Sequence, residues 1–321
     1  MSFEHDVPAA EWDAALADLG GHPLQSALWG DARRAEEGIQ SRYWAHRNGG
    51  GKIVWMARIE ERAMTPVHKL GWIARGPTSE PGSEISDAEF HRELKAANFS
   101  MVVTDPWKDV SACPIEVGIQ DHRPRTIWID LNVGSDRLWS DLKGSRRTGV
   151  KRAAKSGVVV EQAVDDQTIE AFHRMCWQIS TLKNFKFNAG MSFIRRLVRA
   201  EPKGIVATHL FVARHEANLC AGALILRCGR SIHYMWAGTD RAYGNLCPGE
   251  ALQWAIMEWA ISIGCTIYDL EGIDQVANPG TYTFKKSLGG SEVVLAGQRV
   301  LPLSMVGQVL GTFVERRLRA G

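Results

Sequence analysis

The feature that most constrains the fold of this chain is a succession of helices and strands that occurs twice. In the first half, two helices precede several strands, a further helix and a strand that ends at Asp105-Pro106. The second half opens with the strand Thr126–Leu131 and repeats that order through a helix at 249–263 and a strand at 266–270. Gly and Pro turn signals separate the segments. The alternation predicts two tandem α/β domains with a boundary near residues 125–130.

The boundaries follow from the same pattern. We expect domain 1 to span residues 1–127 and domain 2 to span residues 128–304. The C-terminal segment, residues 305–321, has helical periodicity, and we expect it to pack back on domain 1. No sustained heptad pattern lies between Gly157 and Leu210, so no coiled-coil arm is expected in domain 2.

Composition argues against several classes of protein. A net charge of +2 is too small for a general polyanion-binding coat, so any phosphate site must be local. No apolar run approaches the roughly 18 residues of a membrane span, and the acidic N-terminus lacks a signal-peptide core. The six cysteines form no C-x-x-C pair and the ten histidines no H-E-x-x-H element. We therefore expect a cytoplasmic protein with reduced thiols, no metal and no stable membrane insertion.

Two late segments hold charged residues where a site can form. Tyr268-Asp269-Leu270-Glu271-Gly272-Ile273 follows a helix, and Phe284-Lys285 comes eleven residues after it, shortly before Gly289-Gly290. Aminolysis of an ester passes through a tetrahedral oxyanion, which a fixed cation stabilises. On a short strand, Phe284 would anchor the backbone while Lys285 faced a cleft. Two ordinary exposed lysines before a Gly turn are the alternative interpretation.

A basic segment lies near the start of domain 2. Within thirteen residues, and with no acid among them, stand Lys143, Arg146, Arg147, Lys151, Arg152 and Lys155. On a helix, Arg147, Lys151 and Lys155 share one face, where like charges repel by about a few tenths of a kcal/mol per pair unless an anion neutralises them. A nucleic-acid backbone is such an anion. A solvated helix face is the alternative.

Asp105 is the acidic candidate of domain 1. Pro106 restrains Asp105 to an extended conformation, and an Asp-Pro turn after a strand explains the pair adequately. An acid near an attacking ammonium can also hold it or accept its proton. On the residues alone, an Asp-Pro turn explains Asp105, and a substrate contact or a base role is the alternative.

Together these segments resemble the FemABX family of aminoacyltransferases. The resemblance covers nearly the whole chain, is thin between residues 165 and 202, and rests on Gln25–Trp29, Trp72–Pro77, Val102–Pro106, Arg146–Val158, Tyr268–Ile273 and Phe284–Gly290. The family moves an amino acid from aminoacyl-tRNA to an amine of a peptide, typically on a peptidoglycan precursor. The resemblance implies an α/β fold of two tandem acetyltransferase-like (GNAT-like) domains that face a cleft.

The resemblance also implies roles for individual residues. Lys285 and Asp105 are the expected catalytic residues, and the six cations of the basic segment are expected to bind tRNA. Further expected substrate contacts are Phe284, Tyr234, Trp29, Arg33, Arg34, Arg75, Glu271, Lys186 and Asn188. No cofactor is expected, because aminoacyl-tRNA serves as a co-substrate whose ester needs neither ATP nor metal. We expect a monomer.

Two other classes of function remain open on the residues. A coenzyme A-dependent acyltransferase would hold pyrophosphate on an R-x-x-G-x-G/A loop before a helix. The stretch beginning Arg241-Ala242-Tyr243-Gly244 matches in part, but Leu246 replaces the small residue and Pro248 has no N–H. A non-enzymatic RNA- or peptide-binding protein on the same fold is the other alternative.

The acceptor is the least determined part of the prediction. Relatives that take nucleotide-linked precursors carry an arginine near the position of Asn188, and an amide cannot give the bidentate charged contact of guanidinium to phosphate. Lys183 or Lys186 can compensate. A peptidoglycan precursor is therefore the leading acceptor, and a peptidyl natural product without pyrophosphate, as in antibiotic biosynthesis, is the alternative.

Overall fold

The computed structural model describes residues 3–65, 68–107, 123–182, 187–201 and 205–320. The chain divides into two compact units. Unit 1 comprises residues 1–124 and 294–321, and unit 2 comprises residues 125–293. Each unit is built on a seven-stranded mixed sheet, so the mixed α/β class predicted from the alternating pattern is confirmed.

Unit 1 begins with two helices and an antiparallel series of strands. Its elements before residue 124 are β1 (Glu4–His5), α1 (Ala9–Asp18), α2 (Ala27–Glu37), β2 (Gln40–Arg47), β3 (Ile53–Thr65), β4 (His68–Arg75), β5 (Thr78–Ser79), α3 (Asp87–Ala96) and β6 (Phe99–Pro106). The Ser26 hydroxyl accepts a hydrogen bond from the N–H of Trp29 and starts α2, which Gly38 ends in the left-handed conformation. A 3₁₀ turn at Pro23–Gln25 precedes it.

Unit 2 follows this order in outline and has additional helices. Its elements are β7 (Arg125–Asp130), α4 (Ser135–Asp141), α5 (Gly144–Lys155), β8 (Val158–Gln162), α6 (Asp166–Leu182), α7 (Met191–Arg199), β9 (Val206–His215), β10 (Asn218–Cys228), β11 (Ser231–Thr239), α8 (Pro248–Ser262), β12 (Ile267–Asp269), α9 (Pro279–Lys286) and β13 (Ser291–Val294). The sheet order is β13-β7-β12-β11-β10-β9-β8. Only β11 and β12 among the pairings described in this unit run parallel, with α8 as their crossover.

The end of the chain completes the first sheet. The last two elements are β14 (Arg299–Pro302) and α10 (Met305–Ala320). Strand β14 pairs antiparallel with β6, so the order in unit 1 is β1-β2-β3-β4-β6-β14, with β5 on β3. Helix α10 packs against β6 and β14.

Each sheet has its own apolar core. In unit 1 the core is aromatic, with Trp44, Trp55, Phe90 and Phe99 packed edge to face. In unit 2 the apolar face of α8 packs on the sheet through Leu252, Ile256 and Met257. Within the described residues, no helix combines the length and the apolar character that crossing a membrane requires.

Two boundaries differ from the prediction. Strand β7 begins at Arg125, so the last residues placed in domain 1 belong to the second sheet. Residues 294–304, placed in domain 2, belong to unit 1, because β14 pairs with β6. A third difference concerns Phe284 and Lys285. They lie in the helix α9 and not on a strand.

Candidate active site

The candidate active site of unit 2 lies where its two parallel strands part. Strands β11 and β12 pair over three residues only, ending with His233 opposite Asp269. Beyond that point β12 stops, while β11 continues to Thr239 beside β10. A cavity of about 700 Å³ is lined by residues of α6, β11, the start of α8 and α9, and both Tyr234 and Lys285 lie on its wall. Open ends of parallel strands are a common place for ligands in α/β folds.

Helix α9 positions Lys285. The helix begins at Pro279, and the Asn278 side chain accepts a hydrogen bond from the N–H of Thr281. Lys285 is 6 % exposed, although its neighbour Lys286 lies in solvent. Its Nζ donates hydrogen bonds to the backbone oxygens of Glu271 (3.2 Å) and Gly272 (2.8 Å). The ammonium is therefore held by two fixed acceptors.

Among the described residues, two carbonyl groups accept from the Lys285 ammonium, which leaves its third N–H for a ligand. A protonated lysine has three donors, and two of them are used by the carbonyl groups. The Tyr234 ring centre lies 5.9 Å from Nζ, within reach of a cation–π interaction. Burial, the largest influence, lowers the pKa of Lys285 to about 8, against the opposing effect of Glu271 and Asp269. At neutral pH the group is mostly protonated and can donate to a developing oxyanion.

A buried carboxylate fixes the turn whose carbonyl groups hold Lys285. Asp269 accepts hydrogen bonds from the Thr126 hydroxyl, from Trp128 Nε1 (3.0 Å) and from the N–H of Glu271 (2.7 Å). Glu271 adopts a left-handed conformation with φ 58°, which the bond to Asp269 stabilises. Burial and the neighbouring Glu271 raise the pKa of Asp269.

His233 completes this cluster and was not among the residues predicted to form the site. Its Nδ1 lies 2.9 Å from Glu271 Oε1 and 3.8 Å from Asp269 Oδ2, and its side chain is fully buried. The parallel register that sets His233 opposite Asp269 brings the three groups together. The sequence shows a histidine on β11 and acids after β12, but it does not show that they are neighbours. That follows only from the register of the two strands.

The depressed pKa of Lys285 predicts a pH dependence of stability. An ordinary lysine titrates near 10.5, so between pH about 8 and that value the unfolded state binds more protons than the folded state. The free energy of unfolding should therefore rise with pH across this window, and the penalty for burying the ammonium is fully present below it. Lys285→Met cannot titrate. Urea unfolding at the two ends of this pH window should show a rise in the free energy of unfolding for the wild type and not for the variant. An equal rise in both proteins would contradict the prediction.

The basic segment forms the helix α5, as predicted, but its cations are not equivalent. Arg146 donates to Glu250 Oε1 (2.5 Å) and Ser287 Oγ (2.7 Å) and lies 4.8 Å from the centre of the Phe284 ring. Arg147 donates to backbone oxygens at the end of α4, including that of Ser140 (2.9 Å). These two arginines connect α5 to α4, α8 and α9.

The other four cations of the segment are exposed. Lys143, Lys151, Arg152 and Lys155 lie in solvent, with Lys151 Nζ 5.9 Å from the Trp139 ring centre. They leave one side of α5 positively charged. The predicted nucleic-acid surface therefore reduces to these four residues, because Arg146 and Arg147 are engaged within unit 2.

In unit 1, the predicted residues form an ion-paired group. Arg75 Nη1 lies 3.3 Å from Asp105 Oδ2, since β4 and β6 are parallel and set Ala74 opposite Asp105. Both side chains are largely buried. Arg75 adopts φ 56° and precedes a cis Gly76-Pro77 peptide bond. Asp105 and Arg75 thus lie together at the same end of two parallel strands.

The remaining predictions for unit 1 divide into buried and exposed residues. Trp29 is buried, so it belongs to the core more than to a surface. Arg33 is paired with Glu60 (3.2 Å) and with Glu37, while exposed Arg34 is paired with Asp31 (3.1 Å). Neither arginine is positioned as a phosphate ligand without exchanging these partners.

A buried polar network in unit 1 was missed by the sequence analysis. The Gln25 amide donates to the carbonyl of Ala74 (2.6 Å) and accepts from the N–H of Arg58 (2.7 Å). Arg58 is fully buried and pairs with Glu60 at 3.0 Å. Burial alone would raise the pKa of Glu60, but Arg58 and Arg33 outweigh it and lower that pKa. Gln25 therefore connects the turn before α2 to β3 and β4.

Of the two acceptor residues predicted in domain 2, Asn188 lies within the described residues. Asn188 is exposed and is not among the residues that line it, whereas its neighbour Phe187 does line it. The substrate contact at Asn188 therefore stays a prediction. Lys186 and Lys183 lie outside the described residues.

Comparison with known proteins first defines the class. A model of the acetyltransferase (GNAT) domain matches residues 141–286, which lie in unit 2. The crystal structure of FemX superposes with a TM-score of 0.81 over 98 % of this chain and all of that chain, at 17 % identity. A tandem GNAT protein from the clavulanic acid biosynthesis pathway gives 0.52 over 94 % of this chain and 99 % of its own, at 12 % identity. The fold is that of a tandem GNAT protein, as predicted.

Two relatives with known activities match part of the sequence. Lipid II:glycine glycyltransferase of Staphylococcus saprophyticus is 34 % identical over 81 residues, which is 23 % of this chain and 19 % of the relative. UDP-N-acetylmuramoylpentapeptide-lysine N(6)-alanyltransferase of Weissella viridescens is 34 % identical over 77 residues, 24 % of this chain and 23 % of the relative. The matches thus span less than a quarter of either relative. With the FemX fold, they confirm the predicted resemblance. The chain is thus similar in part of its sequence to these two transferases and in its fold to FemX.

Proposed function

We propose that this chain is an aminoacyltransferase that moves an amino acid from aminoacyl-tRNA to an amine of a peptide acceptor, with a peptidoglycan precursor as the leading acceptor. The observation that carries the proposal is the buried Lys285 ammonium on the wall of the cavity, held by two carbonyl groups. Support also comes from the curated relatives, whose names specify glycyl and alanyl transfer to cell-wall precursors.

The chemistry assigns one role to Lys285. The acceptor amine attacks the carbonyl carbon of the aminoacyl ester, and the carbonyl oxygen becomes an oxyanion. The third N–H of Lys285 donates to that oxygen, which lowers the barrier because the donor is already oriented. Collapse of the intermediate breaks the ester C–O bond and releases the ribose hydroxyl, which takes up a proton, while the attacking amine loses one. The product is an amide, and no oxidant or metal is needed.

The start of α8 disfavours the coenzyme A alternative. Pro248 is the first residue of the helix and has no N–H to offer a pyrophosphate. Glu250 places a carboxylate in the first turn, where an anionic ligand would be repelled, and Arg146 already pairs with that carboxylate. A pyrophosphate at this helix end would meet a missing donor and a like charge.

A transfer assay tests the proposal. Labelled aminoacyl-tRNA is offered with a muramyl-pentapeptide nucleotide, its lipid-linked form and simple peptides in parallel. We expect amide formation with at least one cell-wall precursor. Transfer only to simple peptides would remove the cell-wall acceptor and favour the peptidyl natural product. No transfer from any charged tRNA, together with micromolar binding of acetyl-coenzyme A by calorimetry, would contradict the proposal.

The exposed cations of α5 are expected to contact the tRNA. Arg152→Glu with Lys155→Glu should weaken tRNA binding and flatten its salt dependence, because fewer phosphate contacts are made. A matched control is Arg92→Glu with Lys95→Glu, which reverses two exposed charges in the last turns of α3. Filter binding across salt concentrations measures both. Equal affinities for the two variants would remove α5 from the RNA surface. Arg147 is unsuited to this test because it holds the end of α4.

Asp105 is expected to contact the acceptor. Asp105→Asn keeps the shape of the side chain and removes the charge that Arg75 faces at 3.3 Å. We expect the KM for the acceptor to rise more than kcat falls, since a binding contact is lost and not a donor to the oxyanion. Steady-state kinetics with a varied acceptor measure the split. A loss confined to kcat would instead assign Asp105 a role as general base.

A further inference from the structure

The last helix of the chain has an inner face that is packed closely. A Cβ atom on Gly307 would collide with the Ser100 backbone oxygen, and one on Gly311 would come within 3.1 Å of a Val300 side-chain carbon. Backbone-to-backbone contact of this kind fixes which side of α10 faces the sheet of unit 1. The opposite side is thereby fixed as the outward face.

That outward face is apolar. Met305, Val309 and Phe313 recur every fourth residue, and they are 83 %, 60 % and 64 % exposed, with Val306 at 40 % beside them. The other large apolar side chains that the described residues expose are spread over the chain, whereas these four form one stripe. A helix in water ordinarily puts polar residues on its outer face. We name Met305, Val306, Val309 and Phe313 the α10 stripe.

Cations follow the stripe directly. The segment after Phe313 contains Arg316, Arg317 and Arg319 against a single acid, Glu315, and Arg316 is exposed. An apolar helix face beside arginines is the arrangement of helices that lie in the plane of a membrane interface. Arginines near the surface are attracted to anionic headgroups, while the apolar side chains enter the acyl boundary.

We propose that α10 docks unit 1 onto an anionic lipid bilayer, through the α10 stripe and the exposed Arg316. A second copy of this chain is a poorer occupant. The stripe has four side chains along about 12 Å of helix, whereas a stable protein interface involves about 20–30 residues and roughly 800 Å² on each partner. A bilayer needs only the apolar wedge and the charge. Docking would favour an acceptor that is itself held in the membrane, a consequence that rests on the proposed function.

Vesicle sedimentation tests the docking without any transfer reaction. The full chain is spun with phosphatidylcholine vesicles that contain or lack phosphatidylglycerol. We expect binding to the anionic vesicles, and a decrease of about tenfold or more in partition for Val309→Ser with Phe313→Ser. Val159→Ser with Val164→Ser is the matched control, since both valines are exposed elsewhere (61 % and 67 %), and it should bind as the wild type does. Arg316→Glu should reduce the preference for anionic vesicles.

Several results would overturn the docking. One is a wild type that stays in the supernatant with anionic vesicles, and another is a stripe variant that binds as the wild type does. A dimer in light scattering that the stripe variant converts to monomer, without vesicle binding, would assign the stripe to a second copy. Failure of the proposed function can be distinguished from failure of the docking. A chain that binds vesicles but transfers no amino acid would contradict the proposed function and leave the docking supported. The stripe variant should still transfer to a water-soluble acceptor.

Discussion

Replacement of Lys285 by alanine should lower the turnover of aminoacyl transfer by about two to three orders of magnitude, the range for loss of one oxyanion donor. The ammonium is held by the carbonyl groups of Glu271 and Gly272, so another cation could take its place only if that turn moved. The effect should appear in kcat at saturating acceptor, measured with labelled aminoacyl-tRNA.

Lys286→Ala is the matched control. Lys286 is the next residue of the same helix, but its side chain is 47 % exposed and pairs with Glu292, so turnover should be close to that of the wild type. Lys285→Ala should also keep or raise the unfolding temperature, because burial disfavours the ammonium, as the lowered pKa indicates. A variant that is folded and fully active would place the oxyanion donor elsewhere.

Gly290→Ala should strongly destabilise the chain, although it adds only one methyl group. Gly290 has φ 83°, and a Cβ there would lie 2.5 Å from the backbone oxygen of Trp128 and 2.9 Å from Ile129 Cγ1. Left-handed strain adds to a backbone clash, and together they predict a decrease of about 2–5 kcal/mol in the free energy of unfolding. Urea denaturation of the purified variant measures it.

Gly280→Ala serves as the comparison for that measurement. Gly280 lies in α9 with nothing within 4 Å of an added Cβ, so its free energy of unfolding should stay within about 1 kcal/mol of the wild type. Similar stabilities for the two variants would mean that β7 and the turn before β13 can separate without loss. The Gly-Gly pair at the end of the family-like segment is therefore explained by the approach of β7.

The order of elements could be predicted because periodicity and turn residues act locally. Helix α2 and the strands around the Asp105 and Asp269 turns lie where the alternation placed them. The strand predicted for Phe284 and Lys285 was wrong, although the helix had a local signal. Asn278-Pro279 is an N-cap followed by proline in the first turn. The strand prediction rested instead on the pair Phe284-Lys285, which is too short to distinguish a strand from a helix.

The partners of charged groups could not be predicted because they depend on register and packing. The sequence alone does not distinguish Arg146, which contacts Glu250 and Ser287, from Arg152, which is exposed. His233 meets Glu271 only because β11 and β12 pair in parallel across a crossover. A cation in a sequence can stabilise its own fold or a ligand, and only the surrounding surface separates the two.

Strand β14 delays the folding of unit 1 until late in synthesis. Strand β6 pairs with β4 on one edge and with β14 on the other, so its second edge has no partner until the ribosome has made all of unit 2. At about 5–20 residues per second, that interval is roughly 10 to 40 seconds. During it, β6 presents unpaired N–H and C=O groups, which other chains can pair with. Closure of the first unit therefore awaits the last part of the chain, and a nascent chain stalled before Arg299 carries an open sheet.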